Sequence, residues 1–184
     1  MSVIEPYTGI EFPQTYNGLE LVGLGVRVKY VVVKASTRTI LAMVYAISTY
    51  MSPELIEATK TAPAEDIEQA LLDPSFHRTI RIVMYREVDT ETCIAAILEA
   101  VEPRMNGEDL DKLEEFKKLN PPDAFVEGAI IEMTVKGDTL VYKNVVGDVG
   151  TLKSKRFSEA VCDAYYGAEP ISPTHKETVM DGLG

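Results

Sequence analysis

The stretch Leu21-Val22-Gly23-Leu24-Gly25-Val26-Arg27-Val28 opens an apolar, β-branched run that extends to about Met51. Val, Ile, Tyr and Thr dominate residues 19–34 and 39–51, which reads as two long strands. Ala35-Ser36-Thr37-Arg38 reads as the tip that joins them. Arg27 is the anomaly in this run. A guanidinium is charged at any working pH and is costly to bury without a partner. Inside a core sheet it needs an anion, either a side chain or a ligand.

A three-residue tip at 35–37 makes opposite residue numbers sum to 72, which sets Arg27 across from Tyr45 on one face. A two-residue tip shifts the register and sends Tyr45 to the other face. An arginine beside a phenol over an apolar floor suits a carboxylate or phenolate. The other reading is a salt bridge from Arg27 to one of the chain's own acids. The Gly23-Leu24-Gly25 triplet lacks the third glycine and following helix of a dinucleotide fingerprint. It reads as a bend or bulge.

Outward from this hairpin, Gly9-Ile10-Glu11-Phe12 is a possible short strand closed by Pro13. Ser52-Pro53 and Pro63 each start a helix, the second ending at Asp73-Pro74. Thr79 to Val88 reads as a strand. Thr90 caps a third helix with Cys93, Ile94, Ile97, Leu98 and Val101 on one stripe. A fourth carries Leu110, Leu113 and Phe116. Residues 129–134 and 139–145 form a hairpin around Val135-Lys136-Gly137-Asp138, and Gly147-Asp148-Val149-Gly150 reads as a turn. Phe157 to Tyr166 is helical, with Tyr165-Tyr166 as half-buried packing, and Ser172-Pro173 starts a last helix. Strands, then helices, then strands again indicate α+β with a mostly antiparallel sheet. No repeat or linker divides residues 1–184, so a single domain is expected.

With 18 basic and 29 acidic residues the formal charge is −11. That disfavours nucleic acid and anionic membrane surfaces as partners. Cys93 and Cys162 read as reduced thiols, and His77 and His175 lack ligand spacing, so neither a metal site nor a cofactor is expected. No charge-free run of about 18 residues suggests a membrane span. The start, Met1-Ser2-Val3-Ile4-Glu5-Pro6, does not read as a targeting segment. A soluble intracellular protein is expected, cytoplasmic or plastid, of undetermined oligomeric state.

Three stretches in this order resemble the chalcone isomerase family across about residues 12–183. They are Phe12-Pro13 with Gly23-Leu24-Gly25-Val26-Arg27; Val44-Tyr45-Ala46-Ile47-Ser48-Thr49-Tyr50; and Phe157 through Gly167, followed by Ile171-Ser172-Pro173. The resemblance implies an open-faced β-sandwich, a large antiparallel sheet with helices layered on one face and a ligand cleft between. The family includes isomerases that close a chalcone to a flavanone and non-catalytic relatives that bind fatty acids.

Arg27 matches the arginine both branches use. The isomerases' threonine falls at Tyr45, as in the fatty-acid binders, where Arg and Tyr grip the carboxylate. Their tyrosine falls at Cys93, their asparagine at Ala100, their threonine or serine at Ala164 and their lysine at Met84. Those substitutions remove the donors that ring closure needs and make the cleft more apolar. The resemblance therefore implies a non-catalytic protein that binds a fatty acid or similar amphipathic carboxylate. Arg27 and Tyr45 would hold the head group, and Cys93, Ala100 and Ala164 would line the pocket. The alternative is an isomerase-type intramolecular lyase with a divergent active site.

Overall fold

A computed structural model describes residues 1–33 and 38–184, the side chains at 30–33 and 40 excepted. The strands are β1 (Ser2–Ile4), β2 (Glu11–Pro13), β3 (Thr15–Tyr16), β4 (Leu19–Val33), β5 (Arg38–Met51), β6 (Arg78–Met84), β7 (Val88–Asp89), β8 (Ala124–Phe125), β9 (Ile130–Lys136), β10 (Thr139–Asn144) and β11 (Gly147–Lys153). The helices are α1 (Pro53–Thr59), α2 (Ala64–Leu72), α3 (Thr90–Val101), α4 (Asp111–Lys117), α5 (Lys155–Tyr166) and α6 (Pro173–Leu183). Seven strands form one antiparallel sheet in the order β11-β10-β9-β6-β5-β4-β3. The α+β class and the large antiparallel sheet expected from the sequence are those observed.

Alternation along the long strands sorts the side chains. On β5, Tyr45, Ile47 and Met51 face a core that also takes in Ile80, Ile82 and Met84 of β6 and Ile131, Met133 and Val135 of β9. The stripes of the helices close it, including Ile67 and Leu71 of α2, Ile94 and Leu98 of α3, and Phe157 and Val161 of α5. The other face carries a polar cluster. There Tyr16 Oη donates to Glu132 at 2.6 Å, and Arg81 Nε donates to the same carboxylate at 3.2 Å.

Three local readings need correction. Gly147-Asp148-Val149-Gly150 is not a turn but half of edge strand β11, bulged against β10 between Tyr142 and Lys143. The third helix is capped by Asp89, whose carboxylate accepts from Thr92 N, and Thr90 is its first residue. Strand β6 spans Arg78–Met84 rather than Thr79–Val88.

The β4–β5 ladder decides the site. Arg27 pairs with Tyr45, as the expected register requires. Toward the tip, however, Val28 faces Met43, so Val44 is an extra residue and the register slips by one. From Val28 to Val33 the pairing is the one a tip of different length would give. The bulge at Val44 restores the Arg27–Tyr45 pair. The expected tip at 35–37 lies outside the described residues.

A second bulge leaves Val22 unpaired between Leu21 and Gly23, beside the Gly23-Leu24-Gly25 triplet. The glycines themselves have another reason. Helix α6 lies against β4 so closely that a Cβ on Gly23 would stand 2.5 Å from Val179 N, and one on Gly25 would overlap the backbone of His175. Gly182 reciprocates, since a Cβ there would strike Val22 O. With the backbones this close, α6 side chains satisfy the outer edge of β4. Ser172 Oγ donates to Val26 O at 2.6 Å; Leu24 N donates to Thr178 Oγ1 at 2.9 Å, and Thr178 Oγ1 donates to Leu24 O.

Arg78 is a fully buried guanidinium that meets no carboxylate within salt-bridge distance among the described residues. It donates to the carbonyls of Leu71, Ala70, Asp73 and Phe76, thereby closing the C-terminal end of α2, and it stacks over Tyr166 at 5.3 Å.

Because no side chain fits between α6 and β4, Gly25→Ala is expected to destabilise the protein by roughly 3 kcal/mol, the cost of forced overpacking at a rigid contact. Urea unfolding measures it. A midpoint unchanged from wild type would mean that α6 does not sit this close.

Candidate active site at the Arg27 cleft

Directly opposed residues in a ladder share a face, so Arg27, Tyr45 and Met84 form one row across β4, β5 and β6 on the helix side. Tyr45 and Met84 are buried, while Arg27 is half-buried at the end of the row. Its Nη1 donates to Ile171 O at 3.3 Å, in the turn that leads into α6. Among the described residues no carboxylate comes within salt-bridge distance of this guanidinium. The salt-bridge alternative therefore finds no partner there, and among the described residues the guanidinium has one carbonyl acceptor.

Arg27 lines an open cleft of about 510 Å³ together with Lys29, Ala100, Glu169, Pro170 and Ile171, with Val28 and Leu41 at its rim. Arg104 pins the wall of this cleft. It donates from Nε to Asp163 at 2.7 Å, from Nη1 to Ala100 O and from Nη2 to Glu169 O, tying the end of α3 to the turn before α6. Of the five site residues expected from the sequence, Arg27 and Ala100 line the cleft. Tyr45, Cys93 and Ala164 are buried in the core and do not line it. The cleft as it stands mixes charged with apolar groups and opens to solvent. A second groove, of about 400 Å³, runs between residues 3–7, β4 and α6. Its one carboxylate, Glu5, already accepts from Tyr7 N, Thr8 N and Thr8 Oγ1, which leaves the groove little polar chemistry.

The buried groups nevertheless sense the cleft. Burial pushes the Tyr45 phenol up to about 12, against the pull of the Arg27 guanidinium. Burial pushes the Cys93 thiol up to about 11, against Lys29 and Arg27. Tyr165 is raised too, first by burial and then by the neighbouring Tyr45. Near neutral pH the two phenols are therefore un-ionised O–H donors and Cys93 is a thiol, not a thiolate nucleophile. These neutral groups stand behind a cleft whose lining carries two cations, Arg27 and Lys29, and one acid, Glu169. Among the described residues no cluster of three or more His, Cys, Asp or Glu could hold a metal.

Lys29 and Tyr165 escaped the sequence reading. Lys29 lies two residues after Arg27, a spacing that signals a shared strand face, and it lines the same cleft. Tyr165 looked like half-buried packing but is wholly buried. Nothing local distinguishes it from Tyr166, whose hydroxyl contacts Thr49 Oγ1 at 2.9 Å.

That Thr49 hydroxyl also meets His175 Nε2 at 2.7 Å, so β5, α5 and α6 share one buried polar chain behind the site. Burial lowers His175 to about 3.

No family model matches the chain. Its sequence is 25% identical over 194 residues to fatty-acid-binding protein 1 of Arabidopsis thaliana, covering 98% of this chain and 70% of that one. Its fold matches the crystal structure of an Arabidopsis thaliana fatty-acid-binding protein with a TM-score of 0.82 and 25% identity, covering 100% of this chain and 97% of that one. No helix among the described residues is long and apolar enough to cross a membrane.

His175 predicts a pH dependence. Its folded value lies below the unfolded value of about 6.5, so the unfolded chain takes up the proton first. Its contribution is complete above pH 6.5 and is lost as pH falls from there toward 3. Between pH 7 and pH 5 the loss is about 2 kcal/mol. In His175→Gln that part of the slope is expected to vanish from denaturant-unfolding free energies. Parallel curves for variant and wild type would contradict it.

Proposed function

We propose that this chain, a chalcone-isomerase-like protein, binds a fatty acid or similar amphipathic carboxylate at the Arg27 cleft. One observation carries the reading: a half-buried guanidinium, paired across the strand with a buried phenol, meets no carboxylate among the described residues. Arg27 supplies charge and paired donors to the carboxylate, and Tyr45 adds an O–H. The relatives that share the fold and a quarter of the sequence are named for fatty-acid binding, which supports the choice of ligand.

The acyl tail would run inward past Ala100 toward Cys93 and Ala164. Their small side chains leave the helices α3 and α5 without bulk at these points. Burying about 12 carbons at roughly 0.8 kcal/mol per methylene amounts to about 9 kcal/mol before ordering costs. A micromolar complex needs about 8 kcal/mol net, so the head-group contacts must supply what ordering takes away. Parting the core behind the cleft draws on the same energy.

An isomerase reading gains less support. The positions to which the resemblance assigns the isomerases' further polar groups hold Cys93, Ala100, Ala164 and Met84. None of these four side chains offers a strong donor to a developing enolate.

Isothermal titration with dodecanoate tests the proposal. Wild type is expected to bind at micromolar or tighter. Arg27→Ala should bind about 10- to 100-fold more weakly, the worth of a charge-assisted hydrogen bond, and Tyr45→Phe about 5-fold more weakly. Equal affinities in wild type and Arg27→Ala would refute the assignment of the head group. Rapid cyclisation of a hydroxychalcone, abolished by Arg27→Ala, would favour the isomerase instead.

A further inference from the structure

One hydroxyl in the core behind the Arg27 row stands apart from the rest. Tyr165 Oη is buried and has no well-formed hydrogen bond among the described residues. Three other buried tyrosines are satisfied. Tyr50 donates to Pro13 O at 2.6 Å, Tyr142 donates to Asn120 Oδ1 at 2.5 Å, and Tyr166 meets Thr49 Oγ1. An unpaired buried hydroxyl costs the fold on the order of 1–3 kcal/mol, and a phenylalanine of the same shape would avoid that cost. A tyrosine at this position therefore calls for an acceptor that arrives from outside.

The surroundings of Tyr165 say what kind of acceptor. The ionisable groups that act on it are Tyr45, the Arg27 guanidinium and Cys93. Its ring is braced edge-on by His175, at a centroid distance of 6.3 Å and an interplanar angle of 89°. His175 in turn is fixed against Gly25 and bonded to Thr49. The phenol is thus held among the same groups as the proposed carboxylate site, with a cation nearby and only a loose approach to the Tyr45 phenol, itself a donor at neutral pH, among the described residues.

Resting on the fatty-acid reading above, we infer that Tyr165 is a third head-group residue, donating its hydroxyl to the carboxylate that Arg27 and Tyr45 hold. The receptor is then one guanidinium and two phenols. A carboxylate has lone pairs for all three, whereas an alcohol of the same chain length offers a single oxygen and no charge. The site accordingly selects unesterified acids, and Tyr165 contributes to that selection rather than to stability.

Tyr165→Phe tests this, with dodecanoate and dodecanol as probes. The ligand-free variant is expected to melt at or above the wild-type temperature, since it loses only an unpaired hydroxyl. Its dodecanoate affinity should fall about 10-fold, while its dodecanol affinity stays at the wild-type value. In protein labelled with ¹³C at tyrosine Cζ, the Tyr165 resonance, identified by its absence from the variant, should shift on adding dodecanoate but not dodecanol. Wild-type dodecanoate affinity in the variant, or an equal loss for acid and alcohol, would overturn the role of Tyr165 and leave the fatty-acid reading standing. Absence of dodecanoate binding to the wild type would overturn both.

Discussion

Backbone contact between α6 and β4 is the constraint from which the site follows. At Gly23 and Gly25 on the strand and Gly182 on the helix a Cβ would strike the facing element, and glycine leaves that space free. Once they touch, Ser172 and Thr178 satisfy the outer edge of β4, and His175 reaches Thr49 behind it. The turn into α6 is then fixed beside Arg27, where Ile171 offers its carbonyl. Two residues along the strand from Gly25, the chain changes from no side chain to the longest cation available. The close contact ends there and the cleft begins.

Arg78 and Arg27 show how context decides what a guanidinium is free to do. Arg78 spends its donors on four carbonyls at the end of α2 and is closed from solvent. Among the described residues Arg27 has one carbonyl, at 3.3 Å, and it lines an open cleft. A guanidinium has five N–H donors, so the first is close to satisfied and the second is not. Those free donors are what the proposed carboxylate would take up.

Much of this was legible in the sequence because it is periodic or local. The β-branched run from Leu19 to Met51, the Ser-Pro helix starts and the glycine turn at Gly137 gave the architecture. The pairing of Arg27 with Tyr45 was also legible, though the ladder reaches it through a bulge at Val44 that no propensity marks. Strand β11 was hidden because Gly147 and Gly150 punctuate it like a turn. The reason for Gly23 and Gly25 lies about 150 residues away in α6, and the donors of Arg78 find carbonyls, which no side-chain pattern encodes. Tyr165 and Tyr166 are adjacent and alike in sequence. Only the fold tells the satisfied hydroxyl from the unsatisfied one.

The central claim is that Arg27 is an anion anchor, and the bound carboxyl group itself reports on it. In a titration of protein-bound [1-¹³C]dodecanoate, the carboxyl resonance shows the pH at which the head group takes up a proton. Beside the Arg27 guanidinium the carboxylate form is favoured, so the resonance should hold its ionised position well below the ordinary carboxyl value of about 4.3 and return toward that value in Arg27→Lys. A bound resonance that titrates at or above the ordinary value, unchanged by the substitution, would place the head group away from Arg27 and contradict the account.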